Sequence, residues 1–187
     1  MYVVLEGIDT AGKSTQIMRL KEIFTHAIFT CEPGGSALGM KIREILLHTS
    51  LCKKAEMLLF LADRAEHFTK VIQPNLSKCI ISDRSLISGI AYAKDFDYEV
   101  LESLNLFVME HTLPNKVILL ELDKNTLEYR LSKKGQDRIE QRGIAYLLEL
   151  QERLKEVIAR LNVESLIVNA SLPQDSITAQ IAEFIHH

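Results

Sequence analysis

Two hydrophobic rhythms alternate along the chain. Short, almost continuous apolar runs stand at "YVVLE" (2–6), "AIFTC" (27–31), "CIISD" (79–83), "KVILLELD" (116–123) and "SLIVNA" (165–170). Runs of this length without polar alternation predict strands buried on both faces, the habit of parallel sheets. Between them, apolar residues recur every three or four positions in "KSTQIMRLKEIF", "ALGMKIREILLH", "AEMLLFLADRAEHFTKVI" and "IAYLLELQERLKEVIARL". That period predicts amphipathic helices. Strands and helices taken in turn predict an α/β fold, a parallel sheet with helices on both faces. Ligands of such sheets bind beyond the carboxyl ends of the strands. The polar residues that end each run therefore carry the candidate chemistry.

Composition adjusts this picture only slightly. A chain of 187 residues with 47% hydrophobic and 25% charged residues is expected to form one domain, 1–187. A net charge of -3 gives no sign of a nucleic-acid partner held through bulk charge, so any anion site must be a local cluster of basic residues. Cys31, Cys52 and Cys79 have no paired or metal-type spacing and read as reduced thiols. No apolar run approaches the roughly 20 residues of a membrane span, and none at the N-terminus resembles a signal segment. A cytoplasmic protein with no membrane partner is expected.

The strongest chemical signal is "GIDTAGKST", Gly7 to Thr15, directly behind the first strand run. Its G-x4-G-K-S spacing between a strand and a helix is a P-loop, which cradles the phosphates of a nucleoside triphosphate. Gly7 and Gly12 let the backbone turn N–H groups inward, with Thr10, Ala11 and Thr15 in the same turn. Lys13 reaches the outer phosphates, and the Ser14 hydroxyl is placed for magnesium. A second magnesium-directed group is expected at another strand end, and "CIISD" supplies Asp83. An aspartate there also serves as an ordinary turn residue.

For a second substrate, Phe60 and Arg64 share one face of the helix in "AEMLLFLADRAEHF". A flat ring and a planar donor fork suit a nucleobase. By spacing alone, a core phenylalanine and a solvated arginine are the favoured reading.

Five stretches in order, "GIDTAGKST", "EPGGS", "FLADRAEH", "SDRSLISGIAYA" and "KKGQDRIEQR", resemble the thymidylate kinases along the whole chain. The resemblance implies a P-loop three-layer α/β/α fold and Mg2+-dependent transfer of the γ-phosphate of ATP to dTMP. It implies that Phe60 stacks on thymine, that Arg64 bonds the base edge, and that Arg43 and Arg84 hold the acceptor phosphate. Asp9 matches the acidic residue facing the acceptor sugar, and Ser88 and Tyr92 match positions lining base and deoxyribose. A tyrosine against C2′ would reject a ribose hydroxyl.

The polar stretch at about 133–143 resembles the family's lid, with Arg138 and Arg142 brought to the transferring group and Lys134 beside them. Thr10 stands where some members carry a P-loop arginine, which resembles the bacterial arrangement. Arg130 matches the arginine flanking the donor base, near Asn169 to Ser171. A homodimer is implied. Cys31, Ser85 and Ala93 depart from the usual residues around the acceptor. Glu32 and Pro33 read as pocket wall. A deoxynucleoside kinase and a non-catalytic nucleotide sensor are the competing readings. Arg43, Arg64 and Arg84 favour an acceptor that is already phosphorylated, and the intact Lys13, Ser14 and Asp83 favour catalysis.

Overall fold

A computed structural model describes residues 1–133 and 143–187. Five parallel strands form one sheet in the order β2-β3-β1-β4-β5: β1 (Tyr2–Gly7), β2 (Ile28–Cys31), β3 (Ile80–Asp83), β4 (Lys116–Glu121) and β5 (Glu164–Asn169). Eight α-helices lie among the described residues: α1 (Lys13–Ile23), α2 (Ala37–His48), α3 (Lys53–His67), α4 (Leu86–Tyr92), α5 (Tyr98–Val108), α6 (Lys124–Lys133), α7 (Ile144–Leu161) and α8 (Gln174–His186). The expected α/β architecture with a five-stranded parallel sheet is what forms.

Burial follows position in the sheet. Every residue of the central strand β1 is buried, as are Ile80 to Ser82 of β3 and Lys116 to Leu120 of β4. The edge strand β5 departs from the expectation of strands covered on both faces: of its six residues only Val168 is fully buried, and Ile167 is 48% exposed. An edge strand has a neighbour on one side only, so its side chains lose part of their cover. α1 packs on α8 in one layer, while α4 packs on α7, α3 and α5 in the other.

α7 shows how the helices hold on. Leu147, Leu150, Leu154, Val157, Ile158 and Leu161 are buried at helical spacing. Each such side chain is worth about 1.5–3 kcal/mol relative to exposure. The one polar residue within that stripe, Gln151, donates from Nε2 to the carbonyl of Leu122 (3.0 Å) and accepts the Leu122 N–H at Oε1 (2.9 Å). That amide satisfies the backbone where β4 ends.

The long helical stretch expected over 55–72 starts two residues earlier and ends as an α-helix at His67. Phe68–Ile72 continue as a wider π-turn, and Gln73–Asn75 as a 3₁₀ turn. Pro74 has no N–H to give and disfavours a helical residue before it, and the wider turn leaves Phe68 and Ile72 buried. No helix among the described residues is long and apolar enough to cross a membrane.

Register brings the chemistry together. Cys31 pairs with Asp83, and Leu5 with Asp83, so β1, β2 and β3 end level with one another. The residues leaving these three strands, Glu32, Arg84 and the turn after Gly7, emerge side by side.

Candidate functional site

The P-loop backbone is built from residues that only this turn requires. Gly7 has φ 149°, and a Cβ there would lie 2.9 Å from the Leu120 carbonyl oxygen on β4. Gly12 caps α1 in the left-handed region, and Thr10 also takes a positive φ of 67°. Left-handed backbone in a non-glycine residue costs on the order of 1–2 kcal/mol and tends to accompany ligand sites. Arg130 of α6 holds this turn from outside. Its Nη1 donates to the carbonyls of Thr10 (2.9 Å) and Ala11 (3.2 Å), and its Nη2 to Ala170 (2.6 Å) just beyond β5. The expected flank of the donor base is thus also a clamp across the P-loop.

Lys13 opens α1 and is 7% exposed. Its ammonium group donates to the carbonyls of Gly7 (2.8 Å) and Ile8 (3.1 Å). Burial, with the Arg84 charge adding to it, lowers its pKa from the ordinary 10.5 to about 8. Ser14, one residue on, is exposed at the open N-terminus of the helix. At the end of β3, Asp83 Oδ1 is buried and has no hydrogen-bond partner. An exposed hydroxyl at the P-loop helix and an orphaned carboxylate oxygen on the adjoining strand are hard oxygen donors of the type magnesium takes.

Arg84 follows Asp83 with φ 73° and does not pair with it. The guanidinium turns across the sheet to Asp9, with Nη2 donating to Oδ1 at 2.6 Å. Nη1 donates to Ser88 Oγ (3.0 Å) and stands 3.4 Å from the Gly7 carbonyl oxygen. The group lies 5.1 Å from the centre of the Tyr92 ring. Tyr92 is half-buried, and burial pushes its hydroxyl well above the usual tyrosine range. Asp9, Arg84, Ser88 and Tyr92 therefore form one cluster against the P-loop.

Ser88 spends its own proton elsewhere. Its hydroxyl donates to Glu6 Oε2 at 2.5 Å, and Ser85 Oγ donates to Glu6 Oε1 at 2.7 Å. Glu6 is fully buried; burial raises its pKa, opposed by those two serines. The sequence reading missed this carboxylate, since a glutamate ending an apolar run looks like the exit of a strand. Ser85, a departure from the usual family residue, is both its partner and the N-cap of α4, accepting from the Ile87 N–H.

Phe60 and Arg64 separate in role. Phe60 is half-buried and stands outside the hydrophobic cluster. Arg64 is only 2% exposed, which excludes the solvated alternative. Its Nε donates to Glu32 Oε2 (2.8 Å), Nη1 to Asn105 Oδ1 (2.6 Å) and Nη2 to the Ser85 carbonyl (3.0 Å). Glu32, by contrast to a wall residue, is a buried carboxylate whose other oxygen lies 2.9 Å from His67 Nδ1. Burial alone would raise its pKa, but Arg64 and then His67 outweigh burial and hold it below the usual range. The cis Glu32–Pro33 bond leads into Gly34, whose N–H donates to Asp63 (3.0 Å). Arg43, exposed on α2, donates to the Pro33 carbonyl (2.8 Å) and so edges the same loop. Asp63 and His67 were present in the quoted "FLADRAEH" without being assigned, and no sequence signal marks Asn105. Arg138, Arg142 and Lys134 lie outside the described residues.

Chemically, the arrangement gathers Lys13, Arg84, Arg43 and Arg130 and one open helix N-terminus about the P-loop and the ends of β2 and β3. It suits the handling of phosphate esters. The comparisons agree with that geometry. Residues 5–181 match the family model described as thymidylate kinase. The chain is 58% identical over 182 residues to the thymidylate kinase of Wolinella succinogenes, covering 97% of this chain and 96% of that one. It is 51% identical over 187 residues to that of Aliarcobacter butzleri, covering 100% and 99%. The crystal structure of thymidylate kinase from Ehrlichia chaffeensis superimposes with a TM-score of 0.77 at 24% identity, over 99% of this chain and 98% of the other, and supports the fold.

Proposed function

The chain belongs to the thymidylate kinase family, and on that premise we propose which of its residues carry the reaction. The reaction itself transfers the γ-phosphate of ATP to dTMP, giving dTDP and ADP. The observation that carries our assignment is a convergence. Lys13 Nζ stands 2.8 Å, and Arg84 Nη1 3.4 Å, from the same Gly7 carbonyl oxygen. One cation belongs to the P-loop and the other to the strand end facing it. In this reading Lys13 takes the donor phosphates and Arg84 the acceptor phosphate, on either side of that oxygen.

In this reading the P-loop, Gly7 and Thr10 to Thr15, binds the donor phosphates, with Arg130 beside the adenine. Arg43 and Arg84 hold the acceptor phosphate, Phe60 and Arg64 read the base, and Asp9, Ser88 and Tyr92 line the sugar. Ser14 and Asp83 hold Mg2+, which supplies charge neutralisation on the phosphates. Arg138 and Arg142 act from a lid at about 133–143. No general base is needed, because the nucleophile is a phosphate oxygen whose second pKa is about 6. The barrier lies in bringing two polyanions together, so positioning and positive charge supply the catalysis.

Homodimerisation is supported by the layer of α2, α3 and α5. Leu38, Ile45 and Leu47 of α2, Leu58 of α3, and Val100 and Phe107 of α5 are all large and at least 42% exposed. Exposed large apolar side chains on neighbouring helices are the kind of surface that a second copy would cover. A cytoplasmic setting fits the free thiols of Cys31, Cys52 and Cys79.

Coupled ADP release, measured with ATP, Mg2+ and in turn dTMP, dUMP, UMP, CMP and thymidine, tests the assignment. Preference for dTMP supports it. Turnover of thymidine without dTMP identifies a nucleoside kinase instead, and no acceptor-dependent turnover identifies a nucleotide sensor.

A further inference from the structure

Arg64 is held by three other parts of the chain at once. Glu32 follows β2, and its Oε2 lies 2.8 Å from both Nε and Nη2; Ser85 opens α4 and takes Nη2 as well, and Asn105 sits on α5 and takes Nη1. Contacts to three elements fix both the position of the fork and the plane in which it lies. Each holder is itself held. Glu32 Oε1 is bonded to His67 Nδ1 at 2.9 Å, and His67 Nε2 to Thr30 Oγ1 at 2.6 Å. Asn105 donates from Nδ2 to the Leu101 carbonyl at 2.7 Å, so its oxygen is the atom turned towards Arg64.

The fit around Nη1 is close on the remaining side as well. A Cβ added at Gly89 would come within 2.5 Å of Nη1 and 2.9 Å of Nη2. Gly89 lies on α4 between Ser88 and Tyr92, the helix that lines the acceptor cluster. The bare backbone at Gly89 is what lets the fork sit against that helix. A helix interior otherwise disfavours glycine by about 1 kcal/mol relative to alanine, so its presence here needs a packing reason.

We propose that Glu32, Asn105 and Gly89 are positioning residues that set the Arg64 guanidinium in the one orientation from which it reads the acceptor base. This rests on the assignment of Arg64 as the base reader. Arginine has donors only, so an oriented N–H donates to a carbonyl at the base edge and repels an amino group. Thymine presents a carbonyl where cytosine presents an amino group. An arginine free to rotate would lose that discrimination, because it could withdraw its donor and let water serve the amino group. The buried network turns a flexible side chain into a rigid one before the substrate arrives, and rigidity of the reader lowers the cost of binding.

The test uses the full chain and steady-state kinetics with dTMP, dCMP and ATP. Asn105→Leu removes the acceptor for Nη1 at similar size. It is expected to raise KM for dTMP at least tenfold and to lower the dTMP-to-dCMP preference in kcat/KM, with KM for ATP within twofold. Gly89→Ala, which displaces Nη1 by a different route, is expected to act the same way and serves if the first variant is too unstable. Arg64→Lys alone is expected to raise KM for dTMP, and adding Asn105→Leu to it should then cost little more, because the group being positioned is gone. Unchanged KM for dTMP in Arg64→Lys would overturn the base-reader assignment. A raised KM in Arg64→Lys, together with additive losses in the double variant or with KM for ATP and dTMP rising in parallel, would overturn the positioning role alone.

Discussion

Replacing Lys13 by methionine should make the folded chain more stable at neutral pH while removing its catalysis. The ammonium group is almost fully buried and rests on two carbonyl oxygens, those of Gly7 and Ile8. Burial, reinforced by Arg84, moves its pKa from 10.5 to about 8. The difference of about 2.5 units corresponds to roughly 3 kcal/mol by which folding penalises the charged form. The unfolded chain holds this proton up to about pH 10.5, whereas the folded chain releases it near pH 8. Between those values the unfolded state binds more protons, so stability rises with pH, and below pH 8 the full cost is present. Methionine removes the charge and fills similar space. It also strips the two carbonyls of a donor, at about 1 kcal/mol each. The net gain at pH 7 is therefore about 1–2 kcal/mol, shrinking to zero or below by pH 10.

Urea unfolding of both proteins at pH 7, 8, 9 and 10 checks this. The quantity to follow is the difference between the two curves, because Cys31 and Cys79, whose thiols burial pushes up, bend both curves in the opposite sense. A difference that is flat across pH 7–10 would refute the reasoning. Turnover of Lys13→Met should fall on the order of 10²–10³-fold, the scale of losing one preorganised charge at the reacting group.

Three further outcomes follow from the same geometry. Arg130→Met removes three bonds to backbone carbonyls, two of them on the P-loop; KM for ATP should rise about tenfold in steady-state assays, with KM for dTMP within twofold. Asp83→Asn should leave the melting temperature within a few degrees, since Oδ1 has no partner to lose, yet raise the Mg2+ concentration needed for half-maximal rate. Tyr92→Ala should narrow the preference for dTMP over its ribose counterpart by about tenfold in kcat/KM, because the ring beside Arg84 no longer excludes the 2′-hydroxyl.

What was legible in the sequence is what local chemistry determines. The P-loop reads directly because its glycines, lysine and serine act within one turn. The sheet reads directly because buried parallel strands admit few polar residues, and the exceptions, β2 and β5, fail where edge position rather than composition sets exposure. Long-range partners did not read. Arg84 was open to pairing with its neighbour Asp83, yet it bonds Asp9, 75 positions away. Glu6 is matched by Ser85 and Ser88 across a strand pair, and Arg64 by Glu32 and Asn105 from opposite directions in the chain. Spacing on a helix said that Phe60 and Arg64 share a face. It could not say that the fork turns inward, since that depends on a carboxylate 32 positions earlier.

The same long-range pairs bear on how a site crowded with cations remains folded. Each positive group of the site rests on an oxygen of the protein itself: Lys13 on Gly7 and Ile8, Arg84 on Asp9, Arg43 on Pro33, and Arg130 on Thr10, Ala11 and Ala170. Unpaired, these charges would repel one another and destabilise the turn that holds them. Phosphate binding therefore exchanges one set of acceptors for another rather than desolvating bare cations. The exchange is cheapest where the resting acceptor is a neutral carbonyl, as for Lys13, and dearer where it is a carboxylate, as for Arg84. Donor phosphates should accordingly engage Lys13 at little cost, whereas the acceptor phosphate has to compete with Asp9 for Arg84. Asp9→Asn weakens that competitor without emptying the site. If the exchange governs binding, this variant lowers KM for dTMP while leaving KM for ATP unchanged. A rise in KM for dTMP would mean instead that Asp9 holds Arg84 in place for the substrate.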